Sequence, residues 1–220
     1  MTGCTRRVAM RCYTMIIRTD FDALVEAAQR PIGSPWLDML YAQHEASIKM
    51  RINYYRFLYH LVQLLKPAVS IELGVEYGLG SAHMALAASE YGGKVIGIDI
   101  EEKDLPHDYL QPLDNYTYLI GNSANSAVFR EVKRICGGQK VSIVFQDSSH
   151  HYAPSRAEWG MYSQLLAPGA VWICDDITPS FFEVGVDEKS MVAYFDELPG
   201  HHFKYPDVLH QGNTIGVVLL

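Results

Sequence analysis

The stretch Glu72–Ser81, which reads ELGVEYGLGS, decides the fold that we predict for this chain. It follows a short apolar run, AVSIEL at 68–73, and precedes a segment of helical character, GSAHMALAASEYG. Glycines at such a turn let the backbone adopt positive φ and approach a ligand, and the helix N-terminus offers free N–H groups. Asp99 ends the next apolar run, where a carboxylate can accept the hydroxyls of a ribose. These features predict a nucleotide-binding strand–helix–strand unit.

The order of the glycines distinguishes two ligand classes. Dinucleotide enzymes use G-x-G-x-x-G, which forms a tight turn against a pyrophosphate. Here Gly74, Gly78 and Gly80 are spaced G-x-x-x-G-x-G, and Glu72 precedes them. A glutamate would repel a pyrophosphate, whereas it is compatible with an ammonium group or an ordered water. The plainer alternative is a strand–helix turn that binds no ligand.

Short apolar, β-branched runs alternate with helical segments over most of the chain. This alternation predicts an α/β fold with a doubly wound, Rossmann-like and mostly parallel sheet. Two last strands, in HHFKYPDV and GNTIGVVLL, predict a C-terminal antiparallel hairpin and bring the total to seven. We assign Gly137–Gly138 and Pro168–Gly169 to turns. The five parallel runs are AVSIEL (68–73), KVIGID (94–99), NYTYLIG (115–121), VSIVFQD (141–147) and AVWICDD (170–176).

The N-terminal part is predicted to be helical. Apolar residues recur at three- and four-residue steps within 36–65, and Pro67 should end the last helix. Residues 1–20 have no continuous apolar core and are interpreted as a disordered extension. We therefore expect helices over 21–66 that pack on or cap a ligand-binding domain over 67–220.

Composition limits the class of protein. A chain of 220 residues that is 49% hydrophobic and 20% charged can bury one core. The net charge of −7 argues against a nucleic-acid partner, and no apolar run reaches the length of a membrane span. The four cysteines lack disulfide or CxxC spacing, which is typical of reduced thiols in a cytoplasmic protein.

The stretch FQDSSHHY, residues 145–152, crowds polar side chains directly behind a buried run. Aspartate, serine and histidine together suggest a hydrolytic triad, and paired histidines suggest zinc. However, the chain has no G-x-S-x-G elbow and no H-E-x-x-H spacing. Both early interpretations are therefore weak.

The pair ELGVEYGLGS and VIGIDI resembles motif I and the second-strand acid of class I S-adenosylmethionine-dependent methyltransferases. The resemblance covers residues 45–220. In the metal-dependent, cephalosporin-hydroxylase-like and macrocin-type O-methyltransferases, strand four ends in a pattern like IDGDHSY, and L-x-P-G-G and DD follow. The same places here read FQDSSHHY, LLAPGA and ICDDI. The resemblance implies methyl transfer from S-adenosylmethionine to a hydroxyl of a sugar, natural product or phenol, with Mg²⁺ or another divalent cation.

The resemblance also implies a set of cofactor contacts. The glycine loop would line the methionine part, the second-strand acid would hold the ribose, and the end of strand three would lie beside the adenine. In chain order these residues are Glu72, Gly74, Gly78, Gly80, Ser81, Asp99, Asn122, Ser123 and Asp147. The family commonly has aspartate at the position of Asn122, and its catechol-type members have serine at that of Gly80.

For the metal, the resemblance implies Asp147, Asp175 and Asp176 as ligands. Adjacent strand ends bring the three acids to one edge of the sheet, where they would repel one another without a cation. His150 lies where the relatives place the proton acceptor, and a neutral imidazole is a suitable base. The duller alternatives are that Asp147 caps the next helix and that the acid pair forms a solvated turn. We interpret His210 as a surface or hairpin residue.

Two other classes of function stay open at this point. One is a nucleotide-binding oxidoreductase of Rossmann type, and the other is a non-catalytic cofactor-binding protein. The expected partner is a small-molecule acceptor, and a second copy of the chain could pack on the aromatic helix at 53–65. Phe181 and Phe182, in the loop after Asp176, are predicted to form an apolar lid.

Overall fold

A single seven-stranded sheet organises the chain. The computed structural model describes residues 20–44, 51–101, 110, 113–177 and 190–220. In chain order the strands are β1 (Val69–Leu73), β2 (Lys94–Asp99), β3 (Tyr116–Ile120), β4 (Val141–Gln146), β5 (Leu166–Cys174), β6 (His201–Pro206) and β7 (Thr214–Leu219).

The strand order is β3-β2-β1-β4-β5-β7-β6. Strands β1 to β5 pair in parallel, whereas β7 pairs antiparallel with both β5 and β6. The predicted mostly parallel sheet with a C-terminal antiparallel hairpin is therefore confirmed.

The order of the strands reverses at β1, which lies between β2 and β4. A crevice opens outside the carboxyl ends of the strands at such a switch point, and open α/β sheets bind ligands there. Backbone hydrogen bonds fix its floor, since Gly74 N donates to Ile98 O at 2.8 Å and Asp147 N donates to Leu73 O at 2.8 Å. The loops that follow β1, β2 and β4 are thereby held at one edge.

Helices cover both faces of the sheet. They are α1 (20–28), α2 (Pro35–Gln43), α3 (Ile52–Leu65), α4 (Leu79–Ser89), α5 (Ser126–Cys136), α6 (Tyr152–Tyr162) and α7 (Met191–Glu197). The helical pattern predicted over 36–65 thus comprises α2 and α3, and residues 45–50 lie outside the described part. Lys66 adopts a left-handed conformation directly before Pro67, which ends α3 as predicted.

Alternation along the strands divides the core into two layers. Val69, Ile71 and Leu73 of β1 face the layer that contains α5, α6 and α7. The opposite layer contains the buried side of α1 to α4, and it includes the apolar stripe of α3. The aromatic face of α3 is therefore buried within the chain itself. Glu72 points into this second layer because side chains alternate along a strand.

One predicted turn is wrong and one is confirmed. Pro168–Gly169 lies inside β5 rather than between a helix and a strand. Val141 pairs with Leu166 while Ile143 pairs with Val171, so β5 bulges around Gly169, whose φ is +76°. The bulge lets a proline lie within a strand, because the extra residues of β5 do not pair with β4 there. Gly137 ends α5 in a left-handed conformation, as predicted.

Several sequence predictions fall outside the described residues. They concern the N-terminal extension up to residue 19 and the lid residues Phe181 and Phe182. Among the described residues, no helix combines the length and the apolar character that a membrane span needs.

Candidate active site

A cavity of about 480 Å³ lies at the switch point. The loops after β1, β2, β3 and β4 form its walls, and α6 closes one side. Its volume is within the range of small-molecule sites. Six predicted site residues line it, namely Gly74, Asp99, Asn122, Ser123, Asp147 and His150.

The four other predicted cofactor contacts, Glu72, Gly78, Gly80 and Ser81, belong to the glycine loop or support it from below. Glu72 is only 2% exposed, and its carboxylate accepts a hydrogen bond from the Ser81 hydroxyl. A Cβ at Gly80 would overlap this carboxylate, and Gly78 forms the left-handed N-cap of α4. Burial raises the pKa of Glu72 well above its usual value, although the Ser81 hydrogen bond opposes the shift. Here these residues support the loop from below, and their contact with a cofactor stays a prediction.

Asp99 fastens the glycine loop to the end of β2. Its Oδ2 accepts the N–H groups of Val75 at 2.9 Å and Glu76 at 2.7 Å. Its Oδ1 accepts the N–H of Glu101 at 3.2 Å. Backbone donors of this kind place the carboxylate in a fixed orientation at the cavity wall. Its predicted contact with a ribose would use the remaining acceptor capacity of these oxygens.

A buried polar network joins the ends of β3 and β4. Glu158 of α6 is 1% exposed and accepts hydrogen bonds from Ser123, from Ser148 at 2.9 Å and from Gln146 Nε2 at 2.6 Å. Burial raises the pKa of Glu158, against the effect of these donors. Asn122 is exposed instead, and its Oδ1 accepts the N–H of Ala124 at 2.8 Å. Sequence reasoning missed Glu158 because nothing in its helix marks it as buried.

His150 bridges two of the predicted metal ligands. Its Nε2 lies 2.9 Å from Asp147 Oδ1, and its Nδ1 lies 3.0 Å from Asp176 Oδ2. An ionised carboxylate only accepts, so both ring nitrogens must carry protons. Burial alone would lower the pKa of His150, but the hydrogen bonds to Asp147 and Asp176 raise it to about 11. Both acids therefore favour the imidazolium form in this arrangement, and the role of His150 as proton acceptor stays a prediction.

The backbone is strained where these two side chains meet. His150 and Asp176 both adopt positive φ, at 52° each, which non-glycine residues rarely do. Such conformations cost about 1–3 kcal/mol and cluster at functional sites. Two strained residues in mutual contact therefore make this edge of the sheet a candidate functional site.

The hairpin loop between β6 and β7 supplies a second histidine. His210 Nδ1 lies 3.4 Å from Asp175 Oδ1 and 3.9 Å from Asp176 Oδ1. His210 is only 6% exposed, so its predicted hairpin position is right while the surface position is wrong. Burial and the charge of Asp147 raise the pKa of Asp175 to about 7. The acid pair is thus packed against a histidine and is not a solvated turn.

Helix α3 supplies two contacts that the sequence did not reveal. The hydroxyl of the fully buried Tyr54 donates to Asp147 Oδ2 at 3.0 Å. Arg51, at the start of α3, lies on the cavity wall and pairs with Glu76 at 3.0 Å. Sequence reasoning assigned Tyr54 to the apolar stripe, since a tyrosine hydroxyl gives no sign of its partner. Asp147 accepts from Tyr54 and His150, whereas the N-cap of α6 is His151.

The acids and histidines form two groups that can hold a cation. Ligand atoms of Asp147, His150 and Asp175 lie within 4.8 Å of one another, and so do those of Asp175, Asp176 and His210. Asp176 Oδ1 is buried and has no hydrogen-bond partner within the described part of the chain. A buried carboxylate oxygen without a donor is costly, and a cation would satisfy it. The donor set therefore fits a divalent cation.

Comparison with known protein families identifies the family of this chain. The sequence profile of the rhamnosyl O-methyltransferase/CmcI family matches residues 48–184. The chain belongs to this family. It is therefore a methyltransferase enzyme, which decides against the oxidoreductase and the non-catalytic binding protein. No curated protein matched the sequence significantly.

Solved structures share the fold at low sequence identity. The O-methyltransferase TomG from Streptomyces achromogenes, solved with S-adenosylmethionine, is 16% identical with a TM-score of 0.63, covering 90% of this chain and 89% of TomG. An O-methyltransferase from Bacillus cereus, solved with S-adenosylhomocysteine, is 16% identical with a TM-score of 0.61, covering 96% and 100%. MycE from mycinamycin biosynthesis, solved with Mg, S-adenosylhomocysteine and mycinamycin VI, is 18% identical with a TM-score of 0.58, covering 85% and 55%. These likenesses confirm the class I methyltransferase fold.

Proposed function

We propose that this enzyme transfers a methyl group from S-adenosylmethionine to a hydroxyl oxygen of a small molecule, with the assistance of a divalent cation. The observation that carries the proposal is the group of three acids and two histidines beside the switch-point cavity. Acids alone at strand ends are common, but here two of them enclose His150 and one retains an unsatisfied buried oxygen.

The position and the charge of the cavity favour S-adenosylmethionine as its ligand. It lies at the carboxyl ends of β1, β2 and β3, where nucleoside ligands bind in doubly wound sheets. Gly74, Asp99, Asn122 and Ser123 line it. In the proposed complex Gly74 would lie beside the methionine part, Asp99 beside the ribose, and Asn122 with Ser123 beside the adenine. The excess of carboxylates on its walls favours a ligand that carries a sulfonium and an ammonium group. The solved complexes of TomG and the Bacillus cereus enzyme support this choice of cofactor.

The cation would be held by Asp147, Asp175 and Asp176, with His150 and His210 within reach of the same acids. When bound, it would supply a Lewis acid that lowers the pKa of the acceptor hydroxyl, and its charge would weaken the proton affinity of His150. Oxygen donors suit Mg²⁺ or Mn²⁺. The Mg in the MycE complexes supports this assignment.

The protein residues then have distinct tasks. Tyr54 orients Asp147 through the hydrogen bond to Oδ2, which leaves Oδ1 directed at His150. With a cation on the acids, His150 would release one ring proton to solvent, and the neutral imidazole would then take the hydroxyl proton as the acceptor oxygen attacks the methyl group. Alignment of the two reactants supplies much of the rate in such a transfer, because the reaction needs the oxygen, methyl and sulfur in line.

The acceptor is proposed to be a sugar, natural product or phenol. A cavity of about 480 Å³ admits a small molecule beside part of the cofactor, and the net charge of −7 disfavours a nucleic acid. The family description, rhamnosyl O-methyltransferase, favours a sugar hydroxyl within this class.

The test is transfer of a labelled methyl group from S-adenosylmethionine to a panel of sugars, glycosides and catechols. Mg²⁺ or Mn²⁺ should be required, and chelation should abolish turnover. Asp147→Asn should remove the metal dependence together with most of the activity. Asp196→Asn, an exposed acid on α7 that pairs with Lys204, is the matched control and should behave as wild type. Full turnover by Asp147→Asn in the presence of chelator would refute the role of the cation.

A further inference from the structure

One arginine lies among the acids that line the cavity. Among the described lining residues, Arg51 is the only lysine or arginine. The carboxylates that share the cavity wall with it are Glu76, Asp99, Glu101, Asp147 and Glu158. A cavity with this balance attracts cationic groups and disfavours anions, except near Arg51 and near His150, which already pairs with Asp147 and Asp176.

Arg51 can exchange its partner. Its guanidinium pairs with Glu76 at 3.0 Å, and the two side chains are 33% and 50% exposed. An ion pair of this exposure is weak, so an incoming anion can replace Glu76 at small cost. Glu76 belongs to the glycine loop, and its N–H donates to Asp99. The loop thus keeps its fastening to β2 when the side chain of Glu76 moves away.

The cofactor of the proposed function carries two cationic groups and one carboxylate. Acid-lined walls accommodate the sulfonium and the ammonium, but they would repel the carboxylate. We infer that Arg51 binds the carboxylate at the methionine end of the cofactor, in place of Glu76. A guanidinium offers two parallel N–H groups that match the two oxygens of a carboxylate. This inference rests on the proposed function, since it assigns a residue to the cofactor of that same site.

The position of Arg51 agrees with this end of the ligand. Arg51 lies at the N-cap of α3, and its partner follows Gly74 by two residues in the loop after β1. The adenine side, at Asn122 and Ser123, belongs to the loop after β3, two strands away in the sheet. An anionic group on the acceptor would present the same chemistry to Arg51, so the experiment must separate the two sources.

The experiment is calorimetric binding of two ligands in the absence of any acceptor. One is S-adenosylhomocysteine, and the other is its decarboxylated form, which lacks only the carboxylate. Wild type should bind the first about tenfold more tightly, the scale of one charged hydrogen-bonded contact. Arg51→Gln should lose this preference and bind both ligands alike, whereas Arg51→Lys should keep part of it. Arg134→Gln, an exposed arginine on α5, is the control and should match wild type.

Each outcome has a definite meaning. An undiminished preference for S-adenosylhomocysteine in Arg51→Gln would overturn the inference. Arg51 would then bind a group of the acceptor or pair only with Glu76. An equal loss of affinity for both ligands, with the preference intact, would make Arg51 a structural residue and also overturn it. If wild type binds neither ligand, the proposed function itself fails, which is distinct from either result.

Discussion

The contact between Gly80 and Glu72 gives a prediction that can be worked out from the structure. Gly80 is the second residue of α4, and a Cβ there would overlap the carboxylate of Glu72 and lie 3.0 Å from its Cδ. The carboxylate has little room to move, because it is buried and hydrogen-bonded by Ser81. Gly80→Ala should therefore destabilise the protein even though alanine is the better helix former.

The magnitude follows from two destabilising contributions and one that opposes them. Forcing an extra carbon into a packed core costs about 1–3 kcal/mol. Displacing the buried carboxylate from Ser81 adds about 1–2 kcal/mol, since a charged or polar group loses its partner. Helix propensity returns roughly 0.5–1 kcal/mol. Gly80→Ala should thus lower the free energy of unfolding by about 2 kcal/mol.

The assay is urea unfolding of Gly80→Ala beside a matched control. Gly160 lies in α6, is exposed, and a Cβ there would meet no heavy atom within 4 Å. Gly160→Ala should therefore raise the free energy of unfolding by roughly 0.5–1 kcal/mol. In a Glu72→Ala background the cost of Gly80→Ala should vanish, because the overlapping carboxylate is gone. The double-mutant cycle then reports the coupling between the two residues.

Two results would refute this reasoning. If Gly80→Ala and Gly160→Ala stabilise the protein equally, the carboxylate of Glu72 is not held beneath the helix. If Gly80→Ala costs the same with and without Glu72, the strain arises from another contact, and the packing described for this layer is wrong.

Two further predictions concern stability. His83 is fully buried between Tyr41 and the carbonyl of Leu79, and burial lowers its pKa from 6.5 to about 4. Between pH 6.5 and 4 the unfolded chain binds a proton at this histidine that the folded state does not bind. The free energy of unfolding should therefore fall by up to about 3 kcal/mol as the pH drops from 6.5 to 4. In urea titrations, the free energy of unfolding of His83→Gln should fall less over the same pH range. An equal fall in the two proteins would contradict this. Tyr54→Phe should lower the free energy of unfolding by about 1–3 kcal/mol, because the partly buried Asp147 loses a donor. Unchanged stability together with unchanged cation affinity, measured by calorimetry, would disprove that contact.

The strand ends of the site were predictable because they depend on local pattern. Asp99, Asp147 and the pair at 175–176 each follow an apolar run, and parallel strands bring their carboxyl ends to one edge. The positions of Gly74 and Gly78 were equally local, since a strand–helix turn needs left-handed backbone there. Even the inward direction of Glu72 follows from strand alternation, although its partners in α4 do not.

The sequence by itself therefore determined the class of fold, the glycine loop and the edge where the acids gather. Only the tertiary structure decided which side chains contact those acids. Tyr54 reaches Asp147 across 93 positions of the chain, and His210 reaches Asp175 from the terminal hairpin. The partners of His150 were likewise hidden, because Asp147 and Asp176 come from different strand ends. Periodicity is a property of neighbours in sequence, whereas partners and pKa values are set by side chains that only folding brings together.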